Sequence, residues 1–327
     1  LGEKKDNEAK KTCAFCIWVS LVFGLCISAI LLLFRTQILG LLGVSKVTYE
    51  YANAYYTWIA IGAVSIIFSM VPSNILRTEG LAVQSMAGSI IGSIVNIIFD
   101  PIFIFGLNQG AAGAAMATVL GNIIADIYYV YAVIKKSKRL TCSQSHMMIT
   151  GRRVKDILMI GIPASITNIM QTFMSVMTNN FLLPYGTDKV AAMGIALKVN
   201  MITALVLVGF AFGGQPLVGY NYGAKNEKRL KNILKFSYLF EIGLGLLFTI
   251  IMCIFAPQII KVFMDKPDII TNGAMMLRFQ QMGMIFMSVT LISTCVCQAV
   301  GNAGGAFVLS ISRQGVIYVL ALLIMSN

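Results

Sequence analysis

Apolar residues gather into nine long runs along the chain, at 13–34, 51–74, 85–106, 111–134, 157–182, 191–218, 236–256, 272–298 and 304–325, with polar connections between them. A helix rises 1.5 Å per residue, so about 20 apolar residues cross a hydrocarbon layer. Inside lipid a segment must satisfy its own backbone hydrogen bonds, and a helix does so without a partner segment. The runs therefore predict an all-α fold, a polytopic transmembrane helical bundle with nine helices in this chain.

Composition agrees. Of 327 residues, 57% are hydrophobic and 12% charged, with a mean hydropathy of +0.81, whereas soluble domains carry about a quarter charged residues. The net charge of +12 would suit a polyanion, but the basic residues are spaced between apolar runs instead of forming one stripe with stacking aromatics. No nucleic-acid partner is expected; the lipid bilayer is.

The basic residues set the orientation instead, because cytoplasmic connections are enriched in Lys and Arg. Alternate connections hold seventeen of them, most densely at Lys135–Lys155 and Lys225–Lys235. The opposite connections hold five: Arg35, Lys46, Lys189, Lys261 and Lys266. The expectation is a multi-pass protein of the plasma membrane with the Leu1 end cytoplasmic and Asn327 outside.

The longest polar stretch, 135–156, carries the one histidine, His146. It reads as a cytoplasmic loop between an amino-terminal lobe, 1–134, and a carboxy-terminal lobe, 157–327. Laid against itself without a gap so that Gly24 meets Gly245, the chain also aligns Phe34 with Phe255, Gln37 with Gln258 and Gly80 with Gly301. That shift covers six crossings, an even number, so two pseudo-symmetric six-helix lobes of like orientation would face one cavity. On a six-helix unit the nine runs lack the first two helices and the last, and both ends of the chain read as cut.

Charges and amides are costly in a membrane helix, so each invites a functional question. Gly88, Gly92, Asn96 and Asp100 recur every four residues on one stripe of the third run. The glycines permit close helix approach, and Pro101 frees a carbonyl one turn back, near Asp100. Asp100 with Asn96 is the candidate for ion or proton coupling; alternatively Asp100 closes the helix and holds a neighbour.

Asn168, Gln171, Thr172, Ser175, Asn179 and Asn180 form a polar stripe on the fifth run, with Met174 beside it. Methionine suits a surface that repacks around varied apolar ligands, although such stripes also serve ordinary packing. Lys198, Gln280 and Gln281 complete the candidate substrate cavity. Asp126 is a further polar group of the fourth run. Arg278 reads as able to snorkel to the outer surface, and Glu241 as solvated one turn inside the cytoplasmic mouth of the seventh run.

No catalytic constellation is legible, so an enzyme is not expected. The seven cysteines are scattered, Cys13-x-x-Cys16 lacks a second ligand pair, and no metal site or phosphate loop is indicated.

Gly209–Asn226 contains Gln215, Pro216, Gly219, Tyr220, Asn221 and Gly223 in an order that resembles the glycine, glutamine, proline and Gly-Tyr-Asn-Tyr-Gly-Ala signature of the multidrug and toxic compound extrusion (MATE) family. Asp100-Pro101 followed by Gly110–Thr118 is similar to that family's connection between its fifth and sixth helices, and Ile160–Ser165 to the start of its seventh. The resemblance spans nearly the whole chain. It implies that the amino-terminal lobe holds the third to sixth family helices and the carboxy-terminal lobe the seventh to eleventh.

It further implies an antiporter, working by alternating access, that exports cationic or amphipathic drug-like small molecules against a proton or sodium ion. No other cofactor is expected, and a monomer is. Two departures bear on coupling. A first-helix aspartate of similar members has no counterpart here, and amides Asn168 and Gln171 stand where other branches carry a seventh-helix acid. By itself this stretch is not expected to transport. A lipid-linked saccharide flippase of the same broad architecture is the alternative; it would need a strongly cationic cavity, for which only Lys198 is well placed.

Overall fold

The apolar runs become helices that reach past them into the polar connections. The computed structural model describes residues 3, 5–41, 48–137, 140–141, 143, 148–182 and 186–312. In sequence order the helices are α1 (Asp6–Leu33), α2 (Arg35–Leu41), α3 (Tyr49–Thr78), α4 (Ala82–Pro101), α5 (Gly110–Lys136), α6 (Gly151–Leu182), α7 (Thr187–Gly223), α8 (Glu227–Ile254), α9 (Ala256–Phe263), α10 (Pro267–Ala299) and α11 (Ala303–Ile311). A π-helical turn, Ile102–Gly106, continues α4. No strand occurs among the described residues.

Seven helices among the described residues are long and apolar enough to cross a membrane. The remaining two of the nine expected crossings correspond to α6, whose side chains are described in part, and α11, described to residue 312. The structure departs from expectation in three places. Two short helices, α2 and α9, fill stretches that the pattern assigns to connections. The polar stretch expected at 135–156 is narrowed from both sides, because α5 runs to Lys136 and α6 starts at Gly151. The third run changes from α to π after Pro101, and the π turn carries the helix to the run's end at Gly106.

The chain divides into two compact units, Glu3–Thr150 and Gly151–Asn327. In the first, α3 packs against α1, α4 and α5, and α4 against α5. Its core gathers Leu76, Ala125, Tyr129, Ala132 and Val133. α4 and α5 cross with their backbones nearly touching: a methyl group added at Gly121 would lie 2.5 Å from the Gly92 carbonyl oxygen. Only a residue without a side chain fits there, and small residues let membrane helices approach this closely.

In the second unit, α10 packs against α7, α8 and α9. Ala192, Ala196 and Val199 of α7 meet Ile260 of α9 and Leu277 of α10 in one cluster. Leu207 and Ala211 of α7 meet Met284, Leu291, Ile292 and Cys295 of α10 in another, with Tyr238 and Leu244 of α8 against it. The outward faces carry large apolar side chains: Ile97, Phe105, Phe279 and Phe286 are all well exposed. So much exposed apolar surface suits contact with lipid chains.

The two units repeat the same spacing. α1 and α8 begin at Asp6 and Glu227 and end at Leu33 and Ile254, the register that sets Gly24 on Gly245. The starts of α2 and α9 at Arg35 and Ala256, the ends of α3 and α10 at Thr78 and Ala299, and the starts of α4 and α11 at Ala82 and Ala303 fall in that register too.

Candidate functional site

The stripe on α4 is built by α5. Gly88 lies under the Tyr129 ring and Gly92 under Gly121, which draws the next polar turn against α5. There the Asn96 Nδ2 donates to the Thr118 hydroxyl at 3.3 Å and approaches Asp100 Oδ1 at 3.5 Å. The Thr118 hydroxyl donates in turn to the Ala114 carbonyl at 3.0 Å. Its oxygen is thereby left to accept from Asn96. Asn122 Nδ2 donates to the Thr118 carbonyl at 2.8 Å, fixing the same turn of α5.

Asp100 and Asn96 are half-buried. Pro101 has no N–H to return to the Ile97 carbonyl, and the backbone passes into the π turn immediately afterwards. That turn is clamped as well, since a methyl at Gly113 would lie 2.6 Å from the Phe103 carbonyl carbon. A carboxylate, an amide, a hydroxyl and a released carbonyl therefore cluster at one junction. Oxygen-rich groups of this kind suit a small cation or a proton.

Asn96 and Thr118 form one end of a cleft of about 490 Å³ between α3, α4 and α5. Ser69, Ser73, Asn74, Ser89, Ser93 and Asn122 line its length, with Arg77 and Tyr129 toward the other end. Tyr129 shares a 2.8 Å hydrogen bond with Ser89 and donates to the Ser85 carbonyl at 3.2 Å, and Ser73 and Ser85 are 3.0 Å apart. The lining thus offers hydroxyls, amides and one cationic side chain. Asp126 stands apart on α5, where it accepts from the Ser65 hydroxyl of α3.

The described cavity candidates of the second unit, Gln281, Gln280 and Lys198, have different surroundings. Gln281 is 0% exposed and donates to Asn200 Oδ1 at 3.2 Å and Thr203 at 3.4 Å. The structure places it at the α7–α10 interface, where Thr249 of α8 also donates to its carbonyl at 2.9 Å. Gln280 is half-buried, with its Nε2 3.0 Å from the Met193 sulfur. Lys198 is exposed on α7. The side chains of Asn168, Gln171, Thr172, Met174, Ser175, Asn179 and Asn180 lie outside the described residues, although the backbone of α6 is helical there.

The Gln215–Gly223 motif closes α7 and opens α8. Gln215 Nε2 donates to Gln298 Oε1 of α10 at 3.1 Å. α7 continues through Pro216 to Gly223. Asn221 is buried and its carbonyl accepts from the Asn226 N–H at 3.0 Å, after which Asn226 caps α8 by accepting from the Arg229 N–H at 3.1 Å. The turn passes through Lys225 in the left-handed region, φ 56°.

One residue of consequence escapes the sequence reading and another is misplaced by it. Thr118 enters it only as the last letter of a glycine- and alanine-rich motif. Glu241, expected near water, is 0% exposed: α8 starts at Glu227, well before the apolar run, so Glu241 falls at mid-helix. Among the described residues no cluster of three His, Cys, Asp or Glu side chains could hold a metal ion.

Comparison with known proteins gives a consistent picture. A family model described as MatE matches residues 1–102 and 163–323. The multidrug export protein MepA of Staphylococcus saprophyticus is 27% identical over 327 residues, covering all of this chain and 72% of that protein. The MepA of Staphylococcus haemolyticus is 28% identical over 330 residues with the same coverage. Among solved structures, an outward-facing multidrug resistance MATE family transporter of the MOP superfamily superposes with a TM-score of 0.94 at 24% identity, over 99% of this chain and 73% of that one. A MOP superfamily transporter from Pyrococcus furiosus, described as having a binding pocket of reverse polarity, superposes with a TM-score of 0.91 at 24% identity and the same coverage.

Proposed function

This chain belongs to the MatE family, and we propose that it exports cationic or amphipathic small organic molecules across the plasma membrane in exchange for a proton or sodium ion, by alternating access. The names of its multidrug-export relatives support export and drug-like cargo. The observation that carries the coupling half of the proposal is the Asn96–Asp100–Thr118 node at the end of the first unit's cleft. A site that binds an ion next to a cleft for substrate lets one occupant change the affinity for the other, which is the thermodynamic content of exchange.

Asp100 supplies the charge in this reading, Asn96 and Thr118 hold it in place, and the carbonyl released by Pro101 adds a neutral ligand. The hydroxyls and amides of the cleft would receive substrates of varied shape. The flippase alternative falls behind, because it asks for a strongly cationic cavity and Arg77 is the one basic side chain lining the described cleft.

The test is efflux of a cationic dye from cells that lack their own exporters and express the full-length protein, with the proton and sodium gradients collapsed in turn. Asp100→Asn is expected to cut gradient-driven efflux at least about tenfold, equivalent to about 1.4 kcal/mol of ion binding, at unchanged membrane level. The gradient whose collapse stops efflux names the ion. Absence of efflux for every cationic dye tried, despite full expression, would remove the drug-export reading.

A further inference from the structure

Among the described residues of the second unit, one ionisable side chain is buried without a partner. Glu241 lies fourteen residues beyond the start of α8, roughly 21 Å along the helix axis, and is 0% exposed. Neither of its carboxylate oxygens has a hydrogen-bond partner among the described residues.

Ser237, Glu241 and Gly245, spaced by four, form one buried stripe of α8. A methyl at Gly214 of α7 would come 4.0 Å from the Ser237 hydroxyl, and one at Gly245 would come 2.6 Å from the Ser288 hydroxyl of α10. The stripe therefore runs along the seam where α8 meets α7 and α10, with Glu241 between these two contacts.

The surroundings select what can bind. An ionised carboxylate in an apolar seam is among the costliest groups to bury, so it takes up a proton or a cation. Hard cations collect shells of about six oxygens, and the hydroxyls at hand, Ser237 and Ser288, are too few to build one. Among the described residues, the titratable groups in the cluster beside the seam bring no countercharge. On α8 itself, the Tyr238 hydroxyl shares a 2.8 Å hydrogen bond with Ser293. α10 contributes the Cys295 thiol, and α7 contributes Leu207 and Ala211 to the same cluster, with no titratable group. From α9, Lys261 is exposed and approaches Asp265 at 3.9 Å.

We propose that Glu241 is a proton-binding site of the second unit, distinct from the Asn96–Asp100–Thr118 node of the first, and that its carboxylate takes up a proton from water and returns it during transport. Proton binding stands on the geometry of the seam; its use in transport rests on the exporter reading above.

The experiment compares full-length wild type, Glu241→Gln and Glu241→Asp, purified in lipid nanodiscs, by infrared difference spectroscopy between acid and alkaline buffers, alongside dye efflux driven by a pH gradient. The expected result is a protonated-carboxyl band that fades with rising pH in the wild type, is missing in Glu241→Gln and returns, displaced, in Glu241→Asp. Efflux by Glu241→Gln is expected to fall at least about tenfold at equal membrane level. Identical wild-type and Glu241→Gln spectra would overturn the site. A Glu241 band with unchanged efflux in Glu241→Gln would overturn its use in transport. Should the wild type show the band and export nothing, the site stands and the exporter reading fails. If Glu241→Gln does not fold, the displaced band of Glu241→Asp decides the matter alone.

Discussion

Asn96 has two partners, and they pull its role in different directions. Its contact with Thr118 is the shorter, 3.3 Å against 3.5 Å to Asp100, so the amide is steered mainly from α5, and Asp100 keeps an oxygen for another ligand. Thr118→Val keeps the shape and removes the acceptor, leaving the Asn96 N–H free to fall back on Asp100. Hydrogen bonds between membrane helices are worth about 0.6 to 2 kcal/mol, so the apparent ion affinity of efflux is expected to weaken roughly three- to thirtyfold with the maximal rate little changed. Titrating efflux against the coupling ion separates the two, and an unchanged ion dependence would detach Thr118 from the site. Asn96 and Asp100 are legible in the sequence because an amide and an acid stand out in an apolar run. Thr118 is not, since a helical threonine can satisfy its hydroxyl on its own backbone, as this one does at Ala114. Glu241 misleads for a different reason: a hydropathy run marks where a helix becomes apolar, not where it begins, and the basic turns from Glu227 onward belong to α8 as well.

Elements are more legible than residues, because a crossing helix announces itself over many positions while a contact rests on two. The register that joins Gly24 to Gly245, sparse as letters, returns as element boundaries. α2 and α9 are invisible to the same reading, being seven and eight residues long, shorter than a single crossing; their polar residues, such as Gln37 and Lys261, resemble those of any connection. The apolar run predicts a helix to 106, and the chain reaches it, but as a π turn after Pro101, braced by Gly113. Close approach gives the element its sharpest test. Gly121→Val would push branched carbons into the Gly92 carbonyl, which is backbone and cannot swing aside. Overpacking of this kind costs typically about 1–3 kcal/mol, and a lowered unfolding temperature of the purified protein is expected. Gly194→Ala on α7, with nothing within 4 Å of the added methyl, should stay within about 0.5 kcal/mol of the parent. Equal losses in both variants would remove the α4–α5 crossing as the cause.

On the scale of the molecule, orientation is the property that charge alone sets and that folding geometry cannot supply. Arg77 ends α3, Lys135 and Lys136 end α5, and Lys225 and Lys228 flank the start of α8; in a bilayer these ends would share one side, since basic residues near helix termini are retained in the cytoplasm. A repeat of even crossing number demands the same outcome independently, because α1 and α8 then enter the membrane from one face. The two arguments meet in a single measurement. Alkaline phosphatase fused after residue 143 or residue 226 is expected to be inactive, and after residue 186 or residue 265 active, with a fluorescent protein fused at the same points giving the inverse pattern. Opposite readings at 143 and 226 would mean that α6 and α7 do not cross twice between them, and the like-oriented repeat would fall with the charge rule. Matching readings on the outer side would keep the repeat and overturn the charge rule alone, moving the Arg77 end of the first cleft to the exterior and with it the side from which a substrate first meets the protein.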